Sequence, residues 1–415
     1  MRGKVNNETS STGGVGGLGR GTNQAGARLY NERLVLSLVR RHGRLPKAEI
    51  ARLTGLSAQT ASVIVGRLEA DGLLVKQDPQ RGRVGQPSVP FALNPEGALS
   101  IGIKIGRRST DFVLTDFLGH VRYRKRQTHS YPQPKAFLAF VKGELKALSS
   151  VVRGAERSRV AGIGIATPFE LWSWQDEVGA PPNAMQAWHG FDTQGEIARI
   201  SPWPVHLCND GTAACAAETL FGNSDHLRDF IYVFIGSFIG GGVVLDGSVL
   251  QGRTGNAGAI GSLPIARFNS KGRMQSDQLI RCASVYVLER QLKALRRDPS
   301  GLWQSPDQWP DYGKPVEQWI LAAAEGLAVL AASAASIVDF EAVVIDGAFP
   351  LSIRRRLVDA VSVALERLDR QGLSSLEIVE GSIGPDARAV GGAALPLLAN
   401  FARDRDVLFK EANVG

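Results

Sequence analysis

Gln59, Thr60, Val63 and Arg67 recur along Ser57–Leu68 so that they share one side of a helix, with Ser62 at its margin. On the other side Ala61, Ile64, Val65 and Leu68 follow the i, i+3, i+4, i+7 spacing of a buried face. The outward set suits the reading of a nucleic-acid duplex. A glutamine amide can bond adenine in bidentate fashion, a threonine can meet a thymine methyl or a phosphate, and an arginine can reach guanine or phosphate. Downstream, Arg81, Arg83 and Gln86 lie in Arg81-Gly82-Arg83-Val84-Gly85-Gln86-Pro87. Glycine there lets backbone approach a duplex, and arginine is favoured in a narrow minor groove.

These side chains need elements to carry them, and the local signals supply a helix-turn-helix with a wing. A helix is expected from Arg28 to His42, stopped at Gly43. The next begins with Pro46 in its first turn, where a missing N–H costs nothing, and closes at Thr54-Gly55. Ser57 is a suitable N-cap for the helix that carries Gln59, and Asp71-Gly72 ends it. Leu73–Lys76 and Ser88–Leu93 then read as the two strands of a wing whose tip holds Arg81 and Arg83.

Charge follows the same division. Residues 1–97 hold fourteen Lys/Arg and seven Asp/Glu, a surplus of seven, whereas the whole chain has a surplus of eight. The positive charge is therefore concentrated around the helices, as phosphate contact requires. A chain of 415 residues should form two or three domains. The expected division is a disordered tail at 1–24, rich in Gly, Ser, Thr and Asn, a DNA-binding domain at 25–97 and a larger body at 98–415. The tail lacks the apolar core of a signal peptide. The apolar segment Leu321–Val338 contains Glu325, Ser333 and Ser336 and reads as a buried helix, so no membrane association is expected. Three cysteines (Cys208, Cys215, Cys282) without Cys-x-x-Cys spacing point to reduced thiols and a cytoplasmic location.

In the body, strands alternate with helices, which indicates a mixed α/β fold. Strands are expected at Leu99–Gly106, Phe112–Asp116, His120–Arg124, Val160–Pro168, Val205–Asp210, Phe230–Gly236 and Gly240–Leu245. Helices are expected at Phe137–Val152 and Thr212–Phe221. Glycine turns follow strands at Gly106 and at Gly236–Gly242, where backbone N–H groups could cradle phosphate, although tight turns need glycine in any case.

Taken in order, these motifs resemble the ROK family (repressors, open reading frames, kinases). The resemblance covers roughly residues 98–415 and implies a two-lobed actin-like, hexokinase-like domain. The winged helix at 25–97, with the lead-in Gly21-Thr22-Asn23-Gln24 and Tyr30-Asn31-Glu32-Arg33-Leu34, matches the repressor branch. Several positions depart from the family's kinases. Their Asp-x-Gly-Gly-Thr phosphate loop is here Lys104-Ile105-Gly106-Arg107-Arg108, so the aspartate that would serve Mg²⁺ is a lysine and two arginines crowd the turn. These cations could hold an adventitious anion. The second loop, Gly-Thr-Gly in the family, is Gly236-Ser237-Phe238.

The resemblance places the sugar-contacting asparagine at Asn183, before Trp188, and the Asn-Asp pair at Asn209-Asp210. In kinases that aspartate is the general base for a sugar hydroxyl. Without bound ATP, Asp210 is left either as an acceptor for an effector or, with Asn209, as the cap of the following helix. The Gly-Glu-Ile-Gly-His segment is here Gly258-Ala259-Ile260-Gly261-Ser262, keeping Gly258 but losing the glutamate and the zinc-ligating histidine. The cysteine cluster is replaced by Asn269–Asp277, so no zinc is expected, and Cys282 reads as a core residue.

The expected function is therefore that of a non-enzymatic, DNA-binding transcription regulator, a repressor of carbohydrate uptake and catabolism genes. It would need no cofactor. The resemblance implies a homodimer or homotetramer on an inverted repeat, with a sugar-like effector held through Asn183, Asn209, Asp210 and Gly258. The alternative is an ATP-dependent sugar kinase with a fused DNA-binding head. A third reading, a regulator governed by a protein partner, would leave the pocket a relic.

Overall fold

The computed structural model describes residues 24–79, 88–174, 179–224, 226–268 and 274–403. The expected tail and the wing tip with Arg81, Arg83 and Gln86 lie outside the described residues, except for Gln24. The amino-terminal head runs α1 (Gln24–His42), β1 (Arg44–Pro46), α2 (Lys47–Thr54), α3 (Ala58–Ala70), β2 (Leu74–Lys76) and β3 (Pro90–Leu93). The first helix thus starts four residues before Arg28. Pro46 is the residue before α2 rather than part of its first turn, because it pairs with Pro90 at the end of β1. Strand β1 had no sequence signal. It exists because β3 offers it an open edge, giving a three-stranded sheet in the order β1-β3-β2. Gly55 closes α2 at φ 70°, a left-handed conformation that glycine adopts without strain. Ala61, Ile64, Val65 and Leu68 of α3 are buried against Val35 and Val39 of α1 and Ile50 of α2, as their spacing predicts.

The body contains two five-stranded sheets. The first lobe comprises β4 (Leu99–Ile105), β5 (Ser109–Thr115), β6 (Val121–Thr128), α4 (Pro134–Val151), β7 (Val160–Thr167), α5 (Thr193–Ile200) and β8 (Val205–Asn209), with strand order β6-β5-β4-β7-β8. The chain then enters the second lobe through α6 (Asp210–Phe221), β9 (Phe230–Ile235), β10 (Ile239–Leu245), β11 (Ser248–Leu250), β12 (Pro264–Phe268) and β13 (Met274–Gln278). It continues with α7 (Val285–Ala294), α8 (Lys314–Ala335), β14 (Ala342–Gly347), α9 (Leu351–Glu366) and β15 (Glu377–Glu380). The second sheet has the order β11-β10-β9-β14-β15. The last helix, α10 (Ala387–Phe401), returns to the first lobe.

Alternation along the strands builds the layers. Ile101, Ile103, Ile105, Phe112 and Leu114 meet Phe137, Val141, Leu145 and Leu148 of α4 on one face of the first sheet. Val113, on the other face, meets Ala389 and Ala393 of α10. In the second sheet Ile231, Val233, Val343 and Ile345 pack on Trp319 and Leu327 of α8 and on Leu357 of α9, while Tyr232, Phe234 and Val344 pack towards Ala214 and Cys215 of α6. Helices α6 and α10 therefore lie between the sheets. Helix α8 has the length and hydropathy of a membrane span, yet 56% of its apolar window is buried here, where it serves as the core of the second lobe.

The central layer is held by small residues. A Cβ on Gly391 of α10 would lie 1.9 Å from the Ala213 carbonyl oxygen of α6, and one on Gly164 of β7 would lie 1.9 Å from that of Gly392. Gly391→Val must drive the two helices apart. The expected loss is about 1–3 kcal/mol or more of unfolding free energy, measurable by urea denaturation; an unchanged midpoint would show that the layer yields freely.

Candidate functional site

In the head, Ser57 caps α3: its Oγ accepts from the Thr60 backbone N–H at 3.1 Å and lies 2.8 Å from Thr60 Oγ1. The cap fixes the first turn of the helix, and Gln59 and Thr60 are exposed on it. One turn on, Val63 is 66% exposed, an unusual setting for a valine that fits contact with a thymine methyl. Ser62 is half-buried and accepts a hydrogen bond from Lys47 Nζ at 3.3 Å, so it ties α3 to α2. Arg67 is exposed and turned towards Glu32 at 3.6 Å and Asp71 at 3.8 Å. The Asp71 pair is exposed and weak, whereas the Glu32 carboxylate is only 15% exposed and draws Arg67 towards α1. Ser57, Gln59, Thr60, Ser62 and Arg67 thus share one accessible helix.

Two arginines of α1 are among the described residues that fasten the head to the body. Arg33 of α1 donates to the carbonyl oxygens of Ala399 at 2.9 Å and Ala402 at 3.4 Å, at the end of α10. Cations favour a helix C-terminus for the same reason that its carbonyls lack intrahelical partners. Arg40 donates to the Phe117 carbonyl at 2.9 Å and lies over the Phe117 ring at 4.8 Å. Burial, opposed by nearby Asp116, lowers its pKa to about 10. Phe117 and Phe401 meet edge-on at 5.0 Å, joining the head's apolar cluster to the body.

Between the lobes, Asn209 accepts from the Gly211 N–H at 2.9 Å and caps α6. Asp210 begins that helix two residues earlier than the apolar pattern indicated, and its Oδ2 accepts from Arg388 at 3.1 Å. The Arg388 guanidinium also lies 4.9 Å from the Phe234 ring centroid. The aspartate that would act as base in a kinase is thus paired with a cation from α10. Gly258, at φ 79°, backs onto Gly242, since a Cβ would come within 2.6 Å of the Gly242 Cα; its role is close backbone approach. Asn183 is exposed in a left-handed conformation, φ 63°, at the start of a turn that buries Met185 and Trp188 against the α4 side of the first lobe. Trp188 Nε1 donates to the Pro132 carbonyl at 3.0 Å. Asn209 and Asp210 are adjacent by chain, whereas Asn183 and Gly258 are anchored in separate layers.

The expected phosphate turn is occupied by the chain's own charges. Lys104 Nζ donates to Asp111 at 2.8 Å and to Ser109 Oγ at 3.1 Å, and Arg126 also pairs with Asp111. Burial lowers the Lys104 pKa against the pull of Asp111. Burial alone would raise that of Asp111, but Lys104 and Arg126 hold it well below the usual carboxylate range. Arg107 grips Glu289 of α7 with both arms, at 2.6 and 3.1 Å, and Arg108 and Lys293 add contacts at 2.9 and 2.7 Å. Arg108 stacks on Trp303 at 4.2 Å and Arg107 lies 5.0 Å from the Tyr286 ring. Burial opposes ionisation of Glu289, yet Arg107, Lys293 and Arg108 together bring its pKa down to about 2. Two arginines of the first lobe therefore have a carboxylate of the second as their anion.

Sequence reasoning missed Arg388 and Glu289. The only local sign of either is the i, i+4 spacing of Glu289 and Lys293. Cys282 is buried in the second-lobe core, as expected, with its thiol directed at the Leu279 carbonyl.

A winged-helix head on an actin-like two-lobed body is the class that this architecture defines. The chain belongs to the ROK family, which matches residues 100–398, and the MarR family of winged helices matches residues 30–83. It is 26% identical over 381 residues to the protein y4fQ of Sinorhizobium fredii (strain NBRC 101917 / NGR234), covering 89% of this chain and 91% of that one. It is 25% identical over 240 residues to the xylose repressor of Bacillus subtilis (strain 168), covering 57% of this chain and only 60% of that protein. Among solved structures, the fold is similar to that of a ROK family transcriptional regulator, a homologue of the E. coli Mlc protein. The TM-score is 0.62 with 22% identity, over 91% of this chain and 97% of that one. A ROK family glucokinase from Streptomyces griseus, solved with glucose and AMPPNP, has a TM-score of 0.52 with 20% identity, over 72% of this chain and 99% of that one. At these identities the structural likenesses speak for the fold alone.

Proposed function

We propose that the chain is a DNA-binding transcription regulator, a repressor of carbohydrate uptake or catabolism genes that works in the cytoplasm without catalysing a reaction. The observation that carries this reading is the pairing of an accessible reading helix, with Gln59, Thr60 and Val63 exposed, with a cleft whose kinase-like base is tied to Arg388. The xylose repressor relative supports the sugar class. Two heads of a homodimer, or of a homotetramer, would read an inverted repeat. The wing residues Arg81, Arg83 and Gln86 would add contacts beside the groove.

Helix α10 gives the cleft a route to the head. Its fifteen residues extend about 22 Å. Arg388 at one end holds Asp210, and the carbonyls at the other hold Arg33. A sugar-derived effector that hydrogen-bonds Asp210 competes with Arg388 and shifts α10, and with it α1. For this to regulate, the effector must bind one arrangement of the heads more tightly than the other.

The test is binding of the purified full chain to duplex fragments from upstream of its own gene and of adjacent sugar genes, at several salt concentrations. A fragment bound specifically, with affinity that falls steeply as salt rises, is expected. Affinity for no fragment, or brisk formation of sugar phosphate from ATP and a sugar, would overturn the reading.

A further inference from the structure

We propose that a cavity on the outer side of the first lobe, separate from the interlobe cleft, binds a small uncharged polyhydroxylated ligand of the sugar class. The cavity has a volume of about 230 Å³ and opens between the ends of β5 and β6 and the start of α4. Thr110, Gln127, His129, Tyr131, Gln133 and Phe137 line it. It lies on the α4 face of the sheet, the face on which Phe112 is buried beside Phe137, whereas α10 covers the opposite face. A ligand here would not touch Asp210.

The lining selects the ligand's chemistry. Among the described residues, no Lys, Arg, Asp or Glu lines it. Burial, aided by Lys104, pushes the pKa of His129 down to about 4, so the imidazole is neutral at physiological pH. An anion would find no cation lining the site, since nearby Lys104 is already paired with Asp111, and an apolar ligand would strand the hydroxyl, amide and imidazole groups. Two amides and the three hydroxyls of Thr110, Ser130 and Tyr131, beside the Phe137 and Tyr131 rings, suit a molecule with many hydroxyls and an apolar C–H face. One polar atom already lacks a partner on any other residue. His129 Nδ1 is buried and makes no hydrogen bond to another residue, its imidazole interacting with the residue's own backbone, while Nε2 lies 3.4 Å from the buried Thr110 hydroxyl. Buried polar atoms in this condition call for an explanation, and a ligand hydroxyl supplies one.

The site also touches the lobe-to-lobe contact. The His129 backbone N–H donates to the Arg108 carbonyl at 3.0 Å, and the Arg108 side chain holds Glu289 at 2.9 Å. A ligand that orders His129 thereby orders the strand end from which Arg107 and Arg108 reach across. It would report to the same two-lobed body as the cleft, from the other side.

The experiment titrates the full chain with D-xylose, D-glucose, N-acetyl-D-glucosamine and myo-inositol. It follows the imidazole resonances of the six histidines and the backbone amides by NMR, with His129 assigned through His129→Gln. At least one probe should shift the His129 signals saturably. Gln127→Ala with Gln133→Ala, both at exposed positions, should weaken that probe about tenfold while leaving the melting temperature unchanged. Failure of all four probes to move His129 overturns the proposal. So does an affinity unaffected by loss of the two amides, or a saturable change confined to the Asn209 and Gly211 amides, which would put the sugar in the cleft. No DNA is involved, so each of these failures leaves the regulator reading standing.

Discussion

Glu289→Ala is expected to destabilise the folded chain by about 3–5 kcal/mol, the cost of stripping a buried charge of its partner. Glu289 is 3% exposed and Arg107 4%, so the arginine cannot turn to water without opening the contact between the lobes. Arg108 and Lys293 lose the same anion but are more accessible, at 27% and 55%, and recover hydration. The change should be read as a fall in the urea midpoint and a drop of several degrees in the melting temperature. The pH dependence has a definite sign. The folded-state pKa of Glu289 is lowered from 4.5 to about 2, so the stability it contributes is fully present above pH 4.5 and is lost as pH falls towards 2. The difference between wild type and Glu289→Ala should therefore shrink over that window. The double variant Arg107→Met, Glu289→Met should recover much of the loss, because it removes both charges together. Wild-type stability in Glu289→Ala would mean that the pair contributes nothing to holding the lobes.

Gln59→Ala is expected to have the largest effect on DNA reading. The side chain stands exposed in the first turn of α3, with the backbone fixed there by the Ser57 cap. A bidentate glutamine–adenine contact is worth about 1–3 kcal/mol of discrimination against the wrong base. In the proposed dimer on an inverted repeat each half-site would lose that contact, so the total is about 2–6 kcal/mol, a fall of roughly thirty-fold to more than ten-thousand-fold in preference for the operator. Competition binding on operators substituted one base pair at a time should show relaxed preference at symmetric positions, with the salt slope unchanged. Equal loss on every sequence, with a shallower slope, would make Gln59 a phosphate contact instead.

Helix α3 was legible in the sequence because its information is local. One turn of helix decides that Ala61, Ile64, Val65 and Leu68 face inward and Gln59, Thr60 and Val63 outward, and the Ser57 cap and Gly55 stop lie beside it. The strands of the body were legible for the same reason, through runs of apolar residues closed by glycine. The boundaries were less so: α1 begins at Gln24 because a helix extends as far as its backbone permits, and β1 forms only because β3 presents a free edge.

The sequence by itself determined the kind of elements, their order, the basic head and the loss of the kinase side chains at Lys104, Phe238, Ala259 and Ser262. Only the tertiary structure decided what those changed positions do. Arg107 meets Glu289 across 182 residues of chain and Arg388 meets Asp210 across 178. Such pairs leave no periodic signature. A charge pair has a spacing only when one helix or one hairpin carries both partners, and these partners are brought together by the packing of one lobe on the other. The anions that satisfy the arginines, the cation that pairs with Asp210 and the cavity beside His129 are therefore properties of the assembled layers.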